Sequence, residues 1–314
     1  MEPMIQSSAR KAKRLDLAKK MTVDDAVALA FAECLKHWTA NEIIALRGVD
    51  PEGIHEMRVG LRRMRSALSD FRGIIPAAQL AWMKRETKWL ITSLGSARDW
   101  DVFLAELLEP VEAARPSDSG LTELRTAVGR ERERGYATSR EAIRSSRHSK
   151  FVKQMRRWLS AKLWRQRVGK GRKLLGEPIG KFASRVLDKR HKAAVKLGRD
   201  FTGLSPEERH QLRIGLKKLR YTAEFFLSLY PKTLAKPYFR ALAQMQNYLG
   251  HMNDVVVAEH LVERLSTEHE HQRALPRLAI AAGVVVGWHA RGASASAREI
   301  KANWRGFCDS DLFW

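Results

Sequence analysis

Two stretches decide the fold. One reads Asp50-Pro51-Glu52-Gly53-Ile54-His55-Glu56-Met57-Arg58-Val59-Gly60-Leu61-Arg62-Arg63-Met64-Arg65, and the other Ser205-Pro206-Glu207-Glu208-Arg209-His210-Gln211-Leu212-Arg213-Ile214-Gly215-Leu216-Lys217-Lys218-Leu219-Arg220. In each, an N-capping residue, Asp50 or Ser205, precedes a proline at the first helical position and a glutamate in the first turn, which together signal a helix start. The spacing predicts a helix of about twenty residues running to just before Pro76 or Pro231, roughly 30 Å of rod at about 1.5 Å per residue.

At about 100° per residue, Met57, Leu61, Met64, Leu68 and Phe71 fall in one narrow apolar band, a packing seam. His55, Arg58, Arg62 and Arg65 follow spacings of three, four and three and form a second band beside it. The other helix repeats the pattern. Leu212, Leu216, Leu219 and Phe226 are apolar, His210, Arg213, Lys217 and Arg220 are basic, and Lys218 flanks its band as Arg63 flanks the first. A merely solvated face would intersperse acids at i+4 to relieve like-charge repulsion, and none stands between Arg58 and Arg65. The bands are therefore read as anion grips, since a guanidinium takes two phosphate oxygens at once and stays charged at working pH. The histidines would add charge as pH falls toward their ordinary pKa near 6.5, although a histidine at a helix start is often a packed residue instead.

His55 and His210 differ by 155, and that single shift, without a gap, carries one half of the chain onto the other. It superposes Pro51 on Pro206, Gly60 on Gly215, Phe71 on Phe226, Pro76 on Pro231, Leu94-Gly95 on Leu249-Gly250 and Asp99 on Asp254. Register held over fifty residues indicates an internal duplication. It divides the chain into a basic N-terminal segment (1–21), a first helical repeat (22–164), a basic linker (165–180) and a second repeat (181–314). Breakers at Asp50-Pro51, Pro76, Leu94-Gly95, Pro110 to Gly120, Gly169 to Gly180, Ser205-Pro206, Pro231 and Leu249-Gly250 predict about eight helical blocks and no strand. The expected class is all-α, with one core per repeat.

The chain has 314 residues, 57 Lys and Arg against 35 Asp and Glu, and a formal net charge of +22. Such a field draws anions but does not choose among nucleic acid, acidic membrane and polyphosphate. No apolar run reaches the ~20 residues that cross a bilayer and the N-terminus lacks an apolar signal region, so a soluble, cytoplasmic protein is expected. Two distant cysteines, Cys34 and Cys308, indicate neither a disulfide framework nor a thiolate metal site.

These paired motifs resemble the CHAD domain family, named for its histidines and its helical fold. The first-half pattern is similar to His55-x-x-Arg58 followed by Arg62, Arg63 and Arg65, and the second to His210-x-x-Arg213 followed by Lys217, Lys218, Arg220, Tyr221 and Glu224. Leu94 to Asp99 resembles the family's Leu-Gly-x-x-Arg-Asp element, and in its second version, Leu249 to Asp254, Asn253 replaces the Arg. The resemblance covers roughly Thr22 to Trp304. It implies two four-helix bundles related by a pseudo-two-fold, with a basic channel between them that binds inorganic polyphosphate. Some members carry a triphosphatase-type tunnel domain, but the Glu-x-Glu-x-Lys strand of that domain is absent, and catalysis is not carried over.

A third basic ladder, Lys181, Arg185, Lys189, Lys192, Lys196 and Arg199, opens the second repeat, and Arg185 and Lys189 are candidate contacts in the same channel. Arg98 is a further candidate. Asp99 and Asp254 read as N-caps after a helix stop. His269 and His271 alternate with Glu268 and Glu270, but i and i+2 point apart on a helix, so no metal site is assigned and no cofactor is expected. Trp158 and Trp164 read as core. The expected function is non-catalytic polyphosphate binding, with association with polyphosphate granules. Binding to a nucleic-acid backbone is the first alternative. The second is a phosphohydrolase or phosphotransfer enzyme using His55 or His210, which would need a partnering carboxylate.

Overall fold

A computed structural model of the chain describes residues 8–268, 275–292 and 297–314, with some side chains in 251–275 and 292–299 outside that description. Among the described residues there are fourteen α-helices and no strand. They are α1 (Val23–Thr39), α2 (Glu42–Arg47), α3 (Glu52–Asp70), α4 (Ala77–Ser93), α5 (Gly95–Val102), α6 (Glu109–Ala114), α7 (Ser119–Arg144), α8 (Ser146–Ser160), α9 (Lys170–Lys173), α10 (Ile179–Leu197), α11 (Pro206–Phe226), α12 (Lys232–Glu268), α13 (Leu275–Gly292) and α14 (Ala297–Cys308). A π-helical segment, Phe103–Leu108, joins α5 to α6.

The two predicted helices are α3 and α11. Ser205 caps α11 with a full capping box closed by Glu208. Asp50 serves α3 more simply, accepting the Glu52 N–H at 2.9 Å. Before it, Gly48 adopts φ +71, the left-handed conformation that ends α2 without a Cβ penalty and turns the chain into α3. The seam is buried as expected: Met57, Leu61, Met64 and Leu68 are 0% exposed, as are Leu212, Leu216 and Leu219. Each buried side chain contributes roughly 1.5–3 kcal/mol, whereas a like-charge helical pair costs a few tenths, so burial holds the basic bands together.

Helix α3 packs on α1, α2 and α4, and α11 packs on α10 and α12. A shift of 155 takes α1 onto α10, α3 onto α11, and the first residue of α4, Ala77, onto the first residue of α12, Lys232. The expectation of one core per repeat is corrected. The larger apolar cluster runs from Leu15 to Phe313 without dividing at the linker, because Phe71 stacks on Phe182 at 5.2 Å and meets Phe226 at 6.3 Å. A smaller cluster joins Trp100, Phe103 and Leu121 to Leu278, Ala281 and Val285, so α13 packs on α7. Trp158 and Trp164 are core, with ring centroids 4.7 Å apart.

Three expected boundaries also change. Helix α12 runs straight through Leu249-Gly250. At Leu94-Gly95, α5 begins directly after α4, so Asp99 lies inside a helix and does not cap one. The linker carries short helical turns, and its flank is fastened by Arg165 and the Trp164 indole, both donating to Asp24. Those bonds hold the Asp24 carboxyl below its ordinary value, against the effect of burial.

Candidate functional site

The first half of α3 and the start of α5 bring four predicted residues together. Arg58 donates from Nη1 to the Ile91 carbonyl in the last turn of α4, at 2.7 Å. Its position beside bare Gly95, where an added Cβ would lie 3.5 Å from Nη1, sets it at the α4–α5 junction. Burial, then the neighbouring charges of Arg62 and Arg98, push the Arg58 pKa down to about 10, with Asp99 opposing. The group remains cationic at neutral pH. His55 belongs to the same cluster: burial lowers its pKa most, Arg98 and Arg62 lower it further, and Glu52 and Glu56 oppose them. The charges of Arg62 on α3 and Arg98 on α5 thus act on both Arg58 and His55.

Helix α5 is fixed from behind. Arg132 and Tyr136 of α7 donate to the two oxygens of Asp101 at 2.7 and 2.8 Å, and Arg98 is left with a loose contact to Glu106 at 3.4 Å. The backbones of α5 and α7 approach closely because Gly135 has no Cβ; one added there would meet the Ala97 nitrogen at 2.7 Å.

Two carboxylates stand near His55, whose Nδ1 is buried without a hydrogen-bond partner. One ligand atom from each of Glu52, His55 and Glu56 lies within 4.8 Å of the others. Glu56 is engaged by His37, Nε2 to Oε2 at 2.7 Å. Adjacent guanidinium groups oppose a bare cation in that position.

Other predicted residues are placed elsewhere. Arg63 does not join the stripe. It is 4% exposed, donates to the Lys13 carbonyl through Nη1 and Nη2 at 3.3 and 3.2 Å, and lies over the Phe225 ring at 5.3 Å. Arg220 donates to Glu224 at 2.9 Å and to Gln246 at 3.0 Å, and shares a cavity with Arg63. Burial, then the charges of Arg190 and Arg65, hold the Lys218 ammonium below its ordinary pKa. Arg185 grips Glu177 in a fork at 2.7 and 2.6 Å, raising its own pKa, and with Lys189 lines a separate cavity of about 320 Å³ that includes Arg72 and Arg190. On α11, His210 is exposed, and Arg213 and Lys217 are half-buried with interactions of their own. The side chains of Asn253 and Asp254, and both His269 and His271, lie outside the described residues.

Two features escaped sequence reasoning. From residue 8 onward the N-terminal segment is fastened to the fold: Leu15 and Leu17 are buried, Leu17 exchanges hydrogen bonds with Ser228 at 2.8 and 3.0 Å, and Arg10 pairs with Asn41. The alternation of Leu15 and Leu17 within basic residues was the available signal. The second feature is a buried junction between the halves, where Asp70 on α3 accepts from Arg190 on α10 and Thr222 on α11.

Known proteins share this architecture. The crystal structure of the CHAD domain from the plant Ricinus communis superposes with a TM-score of 0.82 at 30% identity, covering 96% of this chain and 97% of that one. PptA from Streptomyces chartreusis superposes with a TM-score of 0.60 over 91% of this chain and 98% of its own; at 16% identity that likeness is one of fold alone. Two curated, uncharacterized Mycobacterium tuberculosis proteins, from strains CDC 1551 / Oshkosh and ATCC 25618 / H37Rv, are each 29% identical over 226 residues, 70% of this chain. The chain spans 42% of the length of those relatives. No helix among the described residues is long and apolar enough to cross a membrane. The CHAD domain model matches residues 29–263, three-quarters of the sequence, and the chain belongs to the CHAD domain family.

Proposed function

We propose that this protein binds inorganic polyphosphate, without turning it over, through the basic cluster on α3 and α5. One observation carries the reading: the charges of Arg62 and Arg98 fall on both Arg58 and His55 and lower the pKa of each, an arrangement that costs free energy until a polyanion occupies it. A flexible chain with one charge per phosphate satisfies closely spaced cations and needs no base readout, whereas no element among the described residues matches a groove-reading module. The same reading takes α3 and α11 as equivalent helices of two duplicated bundles flanking a basic channel, supported by helix boundaries that follow the 155-residue shift. It places the protein at cytoplasmic polyphosphate granules.

The test is competition. Labelled long-chain polyphosphate is bound to the protein, and duplex DNA or RNA is added at equal phosphate concentration. Retention of polyphosphate supports the reading, and displacement favours a nucleic-acid backbone as the ligand. Glu52 and Glu56 beside His55 favour one second reading, hydrolysis with a histidine–carboxylate pair as acid and base. Phosphate release by purified protein, lost in His55→Ala, would establish it.

A further inference from the structure

Helix α8 differs from its neighbour α7 in how its charges are balanced. Between Glu141 and Glu177 the sequence has twelve Lys and Arg and no Asp or Glu, and α8 lies within that stretch. The inner side of α8 is committed to the core. Phe151, Met155 and Trp158 are buried, Trp82 of α4 meets Phe151 with ring centroids 5.8 Å apart, and Glu86 of α4 accepts from Arg147 at 2.7 Å. The exposed side carries Lys150, Lys153, Arg156 and Arg157, at spacings of three and four around Lys153. None of these four has an ion-pair partner among the described residues, whereas on α7 Arg125 holds Glu112, Arg134 holds Glu131 and Arg140 reaches Glu133. A face that only meets water is balanced as α7 is, because like charges at these spacings repel and weaken the helix. Helices α1 and α4, on which α3 packs, also carry α8, so its outer face is turned away from the α3–α5 cluster.

We propose that the outer face of α8 binds the phosphate backbone of a double-stranded nucleic acid, without reading its sequence and apart from the α3–α5 cluster. A duplex holds its phosphates in rigid rows, about one charge per 1.7 Å of axis, so a rigid helical face meets them with little ordering cost on either side. A flexible phosphate chain on the same open face would lose conformational freedom with nothing enclosing it. A bilayer fits less well, since helices that settle on lipid insert apolar side chains, and those of α8 are buried in the core. The short side chains of Ser149 and Ser160 stand among the four cations and let a backbone approach them.

The test measures binding of the full chain to duplex DNA and duplex RNA of equal length by fluorescence anisotropy at several salt concentrations, beside vesicles of phosphatidylserine and phosphatidylcholine. Lys150→Glu, Lys153→Glu and Arg157→Glu combined place good helix formers at exposed positions, and circular dichroism checks that the helices persist; the corresponding glutamine variant replaces it if they do not. The α8 variant is expected to lose about tenfold or more in duplex affinity and to flatten the slope of log affinity against log salt by about three, while Arg62→Glu with Arg98→Glu loses less than about threefold. Equal losses on DNA and RNA identify the shared backbone as the ligand, and a loss on one alone identifies that form of duplex. Absence of duplex binding overturns the proposal, as does an α8 variant within about twofold of the native protein, or one that loses no more than the Arg62 and Arg98 variant. Vesicle binding that needs the α8 residues while neither duplex binds assigns the face to acidic lipid and overturns it as well. Each outcome is read on the duplex itself, whatever anion occupies the α3–α5 cluster.

Discussion

Arg58 of α3 is tied to the last turn of α4 by a 2.7 Å hydrogen bond from Nη1 to the Ile91 carbonyl. That bond uses one edge of the guanidinium and satisfies a carbonyl at a helix C-terminus, where positive charge is favoured. The remaining donors are pre-oriented, so little side-chain entropy is lost when an anion arrives. Arg58→Ala should weaken long-chain polyphosphate binding by about tenfold or more while costing only about 1 kcal/mol of stability. Fluorescence anisotropy and a urea melt on the same variant separate the two effects.

His55 predicts a pH dependence. Burial, then Arg98, lowers its pKa below the ordinary histidine value, so the free fold favours the neutral ring and loses stability as pH falls through the region below about 6.5. A bound polyanion reverses the preference by stabilising the imidazolium. The thermal shift caused by polyphosphate should therefore grow between about pH 7.5 and about pH 5.5, and His55→Gln should flatten that growth. Differential scanning fluorimetry across the range measures both.

Gly135 links packing to the site. A methyl group there would meet the Ala97 nitrogen at 2.7 Å, within the helix that carries Arg98. Gly135→Ala should cost roughly 1–3 kcal/mol and displace α5, weakening polyphosphate binding although residue 135 touches no proposed ligand. A normal melting temperature with unchanged affinity would show that the α5–α7 approach has slack.

The two halves are pinned where Asp70 accepts from Arg190 Nε at 2.9 Å and from the Thr222 hydroxyl at 2.7 Å. Asp70→Ala leaves Arg190 without its buried partner and should destabilise the fold by about 3–5 kcal/mol, whereas Thr222→Val should cost about 1 kcal/mol. Chemical denaturation of both variants checks the ranking.

Much of this was legible because it repeats locally. The starts of α3 and α11 and their apolar seams follow from spacing, capping and duplication, whereas the nearness of Arg98 to His55 comes from the packing of α5 beside α3. What was not legible depends on partners remote in sequence. Arg63 reads as a flank of the stripe, yet Lys13 and Phe225, fifty residues before it and far beyond it, draw it into a different cavity. Arg185 reads as a free rung, yet a turn of the linker places Glu177 against it. Leu94-Gly95 and Leu249-Gly250 read alike as stops, yet α4 gives way to α5 at the first while α12 continues through the second, because a glycine lowers helix propensity without forbidding a helix.

The central claim, that the α3–α5 cluster grips polyphosphate, is tested most directly by reversing the two arginines that are least engaged elsewhere. Arg62→Glu combined with Arg98→Glu is titrated with long-chain polyphosphate at fixed salt, with circular dichroism and a thermal melt confirming the helical fold. Loss of binding by about a hundredfold or more with the fold retained is the predicted result. Binding within about twofold of the native protein would contradict the account and move the site to another basic face.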